Sequence, residues 1–313
     1  MARLQDDGSR IGLFGGDYPG WRNVCRGGPI GLEGRSILLE RDREIVVGGI
    51  ANRGYTRSGG VLARFGPDGR LDRSFGRGMG RALWPGVVEV VRAVQRPHDL
   101  PSPSGVSEVR HARGGGYLVG GYFDGKLMVA RVSHDGRPDR SFGRGGISAI
   151  DVDGSRKCHC SYGTGMTRDR QGRIVLVGYT TNGIHQTRDE MIAVRFEPGG
   201  AIDRSFGKNG VVRIRPYVPE SPYHYALARS VAIQPDGKIV IAGEADYSFT
   251  LARLRPDGHL DRSFFGDGTY TSMLFGSPSG AYDVIVDRRG RIVASGGGNG
   301  LGVFAVMRFL AGS

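Results

Sequence analysis

Phe249-Thr-Leu-Ala-Arg-Leu-Arg255, then Pro256-Asp-Gly258, then His259-Leu-Asp-Arg-Ser-Phe264 read as a strand, a tight turn and the lead into another strand. Proline pre-sets φ at one turn position and glycine supplies the positive φ the next requires, so Pro-Asp-Gly closes a hairpin. Just upstream the same grammar runs once more. Arg229-Ser-Val-Ala-Ile-Gln234 alternates in the manner of a strand, Pro235-Asp-Gly237 turns, and Lys238-Ile-Val-Ile-Ala-Gly243 is a β-branched run bounded by glycine. A glycine-bearing segment after Phe264 supplies a fourth strand. The unit is a four-stranded antiparallel meander with no segment of helical periodicity.

The unit recurs. Asp-Arg-Ser-Phe-Gly stands at Asp72–Gly76, Asp139–Gly143 and Asp203–Gly207, and Asp261–Phe265 differs only in its last residue. Phe75, Phe142, Phe206 and Phe264 are spaced by 67, 64 and 58 residues. A fixed period of this size marks an array of one supersecondary unit, and four antiparallel strands per unit make a propeller blade. Third strands end on Arg64, Arg131, Arg195, Arg253 and Arg308, so there are five third strands against four motifs. Asp7-Gly8 and Phe14-Gly15 carry the spacing of Asp68-Gly69 and Phe75-Gly76. The expectation is an all-β, five-bladed β-propeller in a single domain over residues 1–313. Its blades fall near 30–85, 86–150, 160–215, 226–275 and 280–313, and the N-terminal strand at 7–16 completes the last.

On Arg229 to Gly243 and Leu251 to Gly268, and more loosely over nearly the whole chain, the sequence resembles the delta-60 repeat family of bacterial β-propellers. The resemblance implies the fold. For activity it implies one direction only, since repeats of this kind build the propeller of a cylindrocyclophane-forming enzyme that alkylates an aromatic carbon. The corresponding expectation is an enzyme of bacterial specialised metabolism that promotes C–C or C–heteroatom bond formation or cyclisation on an aromatic or polyketide-like molecule. The alternative is a non-catalytic propeller that binds a protein, glycan or small ligand through its irregular face. Fold alone does not choose between them.

The net charge of +12 comes from 43 basic against 31 acidic residues. Many of the arginines recur once per repeat, and no basic run with interleaved aromatics stands out, so the charge reads as a solvated surface and argues against nucleic acid as a partner. The first residues have no apolar leader core and no run approaches a membrane span, so the expected location is the cytoplasm, with a small-molecule partner and no membrane. Three cysteines do not make a disulfide framework.

Candidate chemistry gathers at one end. Both Pro-Asp-Gly turns of a blade lie at the same end, and the long irregular loops lie at the other, where sites are built on rigid scaffolds. The turn-end His134 and His259 read as surface residues. Alignment of first strands brings Arg35, Arg92, Thr164, Arg229 and Tyr282 to one level at the mouth of a central channel. Arginines there suit a carboxylate, phosphate or phenolate. With them, Tyr282, Asp283, Arg229, His224 and Glu220 are the candidate catalytic groups, and Arg35, Arg92, Trp21, Tyr162, Tyr225 and Tyr247 the candidate substrate contacts. The placement of Arg92 takes Val90–Val94 as the first strand of the second blade, with His98 and His111 in an insertion; a rival register starts that strand at Ser107. Cys158-His159-Cys160, with Cys25 and His224, is the set that zinc or copper would use. The spacing lacks the usual pair of intervening residues and has no second pair, so packing is the reading preferred and no cofactor is expected.

Overall fold

The computed structural model describes residues 31–52, 58–78, 82–92, 104–152, 160–181, 189–219, 221, 223–274, 278–298 and 303–309. All regular structure among them is β. The chain divides into two compact units, Met1–Ala149 and Ile150–Ser313.

The first unit holds β1 (Gly31–Leu39), β2 (Ile45–Asn52), β3 (Ser58–Phe65), β4 (Ala82–Trp84) and β5 (Val87–Arg92), then β6 (Gly105–His111), β7 (Tyr117–Phe123), β8 (Lys126–Val132) and β9 (Ile147–Ile150). They form two antiparallel sheets, ordered β1-β2-β3-β5-β4 and β6-β7-β8-β9. The second unit holds β10 (Cys160–Arg168), β11 (Ile174–Thr181), β12 (Glu190–Phe196) and β13 (Val211–Ile214), followed by β14 (Ala226–Ile233), β15 (Ile239–Ala245), β16 (Ser248–Leu254) and β17 (Thr269–Ser272). It ends with β18 (Ser279–Val286), β19 (Ile292–Gly298) and β20 (Val303–Phe309). Its sheets are β10-β11-β12-β13, β14-β15-β16-β17 and β18-β19-β20. Five meanders of one pattern make the fold a β-propeller of five blades. The last blade has three strands among the described residues; residues 7–16, expected to complete it, lie outside them.

Middle strands are buried on both faces, and alternation decides which neighbour each residue serves. In β15, Ile239 and Ile241 pack into the core shared with the third blade, alongside Val175, Val177 and Phe206. Val240 and Ala242 face the other way, into the core shared with the fifth blade, alongside Phe264, Ala281 and Val284. Phe75, Phe206 and Phe264 of the motif are therefore inter-blade wedges, and they and Phe142 are 0% exposed. Burying such a ring contributes about 2–3 kcal/mol.

The rest of the motif is a staple. The third-strand arginine meets the motif aspartate with Nε–Oδ2 at 2.7 Å in Arg64–Asp72 and Arg131–Asp139, 2.6 Å in Arg195–Asp203 and 2.8 Å in Arg253–Asp261. Each guanidinium lies over its phenylalanine, 4.9, 5.3, 4.5 and 4.6 Å from the ring centre. The motif serine donates its hydroxyl and its backbone N–H to the same aspartate, the hydroxyl at 2.6 to 2.8 Å. Arg64 also donates to the His134 carbonyl of the next blade's turn, and Arg195 to that of Pro256. The recurring arginines and aspartates thus serve the fold.

The first strands share a second device. Register shifts once in each, at Arg35, Ser107, Thr164, Arg229 and Tyr282, which are the bulged residues of β1, β6, β10, β14 and β18. Opposite each bulge the second strand needs a glycine. A Cβ on Gly49, Gly121, Gly178, Gly243 or Gly296 would sit 1.9 to 2.1 Å from a first-strand carbonyl oxygen.

This corrects the reading of Arg92. Val87–Arg92 is the fourth strand of the first blade, paired with β3, and the second blade begins with β6, in the register that places Ser107 in the first strand. The cause is an insertion. Gly146, Gly210 and Gly268 each donate to the motif phenylalanine four positions back, whereas the matching glycine of the first blade is Gly86, whose N–H reaches Phe75 across β4. The fourth strand is pushed downstream, and its apolar run passes for a first strand. The first two blades accordingly meet between Arg92 and Ser104, not near residue 86.

Candidate functional site

In the second unit, two hollows lie at opposite ends of the fourth blade. The larger, about 750 Å³, sits among the turns and is lined by Arg255, His259, Leu260, Asp261, Ser263 and Asp267, with neighbours. Its carboxylates are committed to local structure. Asp261 pairs with Arg253 and, at 3.1 Å, with Lys238; Asp267 takes the N–H and hydroxyl of Thr269 at 2.8 and 2.9 Å. Burial by itself would raise the Asp261 carboxyl, but the Ser263 hydroxyl, Lys238 and Arg253 outweigh it and hold it at about 2.

The smaller hollow, about 550 Å³, lies at the irregular end between the third and fourth blades. Three separate stretches build it: Asp189 at the start of β12, the connection carrying Arg215, Tyr217, His224 and Tyr225, and Asp246 in the turn between β15 and β16. That connection is anchored by backbone bonds from Ala226 to the Asp189 carbonyl and from Asp246 to the Tyr225 carbonyl. The Tyr225 N–H donates to Asp246 Oδ1 at 2.8 Å, which orients the carboxylate. Arg215 is held through Nε by Glu190, a buried carboxylate that also accepts from Arg213 at 2.5 Å.

Behind the hollow stands a network centred on Glu244, which is 5% exposed. Tyr225 donates its hydroxyl to Glu244 Oε1 at 2.6 Å, and Arg229 Nη2 reaches Oε2 at 3.1 Å. The Tyr225 oxygen also accepts the N–H of Tyr247 at 3.0 Å. Burial, then the adjoining Glu244 carboxylate, push the Tyr225 phenol far above the usual tyrosine range, so it stays a donor. Arg229 lies over the Tyr282 ring at 5.2 Å, and Tyr247 stands edge-on to both Tyr223 and Tyr225, at 5.2 and 5.3 Å. The asymmetry among blades is informative. The residue after the bulge-facing glycine is Ile50, Tyr122, Tyr179, Glu244 and Gly297 in turn, so one blade alone carries a carboxylate there.

Of the groups singled out from sequence, His224 and Tyr225 line the hollow, while Arg229, Tyr247 and Tyr282 belong to the layer beside it. Asp283 is exposed and accepts the Ser230 hydroxyl at 2.6 Å, an inter-blade bond. Tyr162 stacks on Tyr179 at 5.1 Å. In the first unit, Arg35 donates to Glu33 at 3.0 Å, and Arg92 to the buried Glu89 at 2.7 Å. Trp21, Cys25, His98, Cys158 and Glu220 lie outside the described residues; Cys160 starts β10, with its side chain outside them too. Among the described residues no three His, Cys, Asp or Glu side chains gather as a metal would require. Sequence reasoning passed over Glu244, Asp246, Asp189 and Arg215. The available signal was Glu244 itself, a lone charge interrupting the apolar run Ile239–Ala245.

Residues 40–75, 172–206 and 234–264 match the model of a family described as a domain of unknown function (DUF5122) β-propeller. The repeats are β-propeller repeats. A search of curated proteins by sequence finds no match. Among solved structures, a glucose dehydrogenase is similar at 14% identity and a TM-score of 0.51, covering 99% of this chain and 89% of its own. A soluble aldose sugar dehydrogenase from Escherichia coli follows at 13% identity and 0.41, covering 94% and 86%. Regucalcin, a calcium-binding protein from Agrobacterium tumefaciens, stands at 12% and 0.40, covering 88% and 70%. At 14% identity the likeness of this propeller to the glucose dehydrogenase is one of fold alone. No helix among the described residues is long and apolar enough to cross a membrane.

Proposed function

We propose that this propeller binds a small molecule in the hollow between its third and fourth blades, at the irregular end. One observation carries the reading. Three separate chain segments bring two carboxylates, a guanidinium, an imidazole and tyrosine rings to one cavity of about 550 Å³, on a rigid floor pinned by Glu244 and Asp246. That size and mixture suit an organic ligand. The groups nearest the bulge layer are engaged with one another, Arg229 with Glu244 and Asp283 with Ser230, which favours recognition over turnover there.

Thermal shift against a small-molecule panel tests the proposal. Expected is a ligand that raises the melting temperature of the native protein and not of a Tyr217→Ala variant; a panel giving only shifts shared by both would refute the site. An enzymatic reading, bond formation or cyclisation on an aromatic substrate, is supported by His224, a group able to move a proton and lining the same hollow. Mass spectrometry of candidate substrates incubated with native and His224→Ala protein separates the two. Conversion by the native protein alone favours the enzyme.

A further inference from the structure

The chemistry lining the hollow is specific enough to name a ligand class. Its polar groups are of both kinds: the carboxylates of Asp246 and Asp189 accept, the Arg215 guanidinium donates, and the His224 imidazole has a nitrogen for either role. A ligand dominated by one charge would meet a like charge as well as an opposite one. A row of hydroxyls meets neither penalty, because each hydroxyl donates to a carboxylate and accepts from a guanidinium or imidazole. The groups that would serve it are also available. Asp246 Oδ1 is occupied by the Tyr225 N–H, while Oδ2 takes no hydrogen bond among the described residues. Arg215 is tethered through Nε, and its two Nη groups donate to no partner among the described residues.

The rim supplies the other half of carbohydrate chemistry. Tyr217 lines the hollow with 74% of its surface exposed. Packing does not account for an aromatic ring left so open. The C–H face of a pyranose is apolar and flat, and it buries itself on such a ring while its equatorial hydroxyls reach the polar floor. Tyr225 forms that floor and cannot swing away, since Glu244 holds its hydroxyl and Asp246 its backbone. A preorganised floor lowers the cost of binding.

We infer that the hollow is a carbohydrate site: Tyr217 stacks on a neutral sugar whose hydroxyls are held by Asp246, Arg215 and His224. The inference rests on the small-molecule reading above and deepens it. The test is isothermal titration of the full chain with glucose, galactose, mannose, xylose, maltose and cellobiose. Glutamate, lysine and benzoate serve as zwitterionic and anionic comparators. Expected is saturable binding of at least one neutral sugar, weakened tenfold or more by Tyr217→Ala and by Asp246→Asn, with melting unchanged in both. Asparagine keeps the acceptor that Tyr225 needs, so this second variant separates loss of ligand contact from loss of fold. Binding of a comparator but of no sugar, abolished by Tyr217→Ala, overturns the carbohydrate assignment and leaves small-molecule binding standing. Sugar binding indifferent to both variants overturns the site, and binding of none of the nine compounds overturns both readings.

Discussion

The two ends of the fourth blade put the same kinds of residue to opposite uses. At the turn end, Arg253, Asp261, Ser263 and Phe264 repeat the geometry found in three other blades, an ion pair, a serine bond and a ring contact that hold the repeat together. At the loop end, Glu244, a carboxylate where the other four blades have Ile50, Tyr122, Tyr179 and Gly297, binds Tyr225 and Arg229, and the network opens onto a hollow. Repetition within one chain marks what every blade must have to stack. Departure from repetition marks where one blade has been adapted, and here the departure is a buried carboxylate.

The contrast breaks most easily at the staple. Arg195 and Asp203 are 4% and 5% exposed in their side chains, so Arg195→Ala leaves a buried carboxylate with only the more distant cation Arg173, at 3.7 Å, and should cost about 3 kcal/mol in denaturant unfolding. The same change at Arg131, whose pair is 23% and 33% exposed, should cost only about 1 kcal/mol. Equal losses would mean that burial does not set the strength of the staple.

Next in size is Gly258, with φ +91 and a would-be Cβ 2.7 Å from the Gly207 nitrogen and 2.9 Å from the Phe206 ring. Gly258→Ala should cost about 2 kcal/mol from backbone strain, before any clash is relieved. An unchanged melting temperature would show that the blades can separate there freely.

Acid probes the same end through Asp261. Its folded value of about 2 lies below the unfolded one, so its contribution is present above pH ~4 and is lost as pH falls towards 2. The loss is about 2 kcal/mol, and an Asp261→Asn variant should show a shallower acid limb in pH-dependent unfolding. Parallel limbs would place the acid sensitivity elsewhere.

At the loop end, Tyr225→Phe removes one donor from buried Glu244 and should cost about 1–2 kcal/mol. Tyr217→Ala, at a ring 74% exposed, should leave stability within about 0.5 kcal/mol while removing ligand-induced stabilisation. That last pair sharpens the comparison, since only the loop end should show function lost without stability lost.

The Pro-Asp-Gly turns, the alternation in strands such as Lys238–Gly243 and the recurrence of Asp-Arg-Ser-Phe were enough to read the propeller and its blade number. These are local or periodic signals, because turn dihedrals and face-to-face alternation are properties of a few consecutive residues. The same locality explains the error at Arg92. A fourth strand displaced by an insertion looks like a first strand until its partner, β3, is known. His224 and Tyr225 were legible as reactive side chains on a long connection, whereas Asp189, Asp246 and Glu244 were not, each being an isolated acid in a separate stretch. Their meeting is set by how the third and fourth blades pack, through contacts between residues far apart in the chain. Only the tertiary structure could assemble that hollow, since no short segment contains more than a part of it.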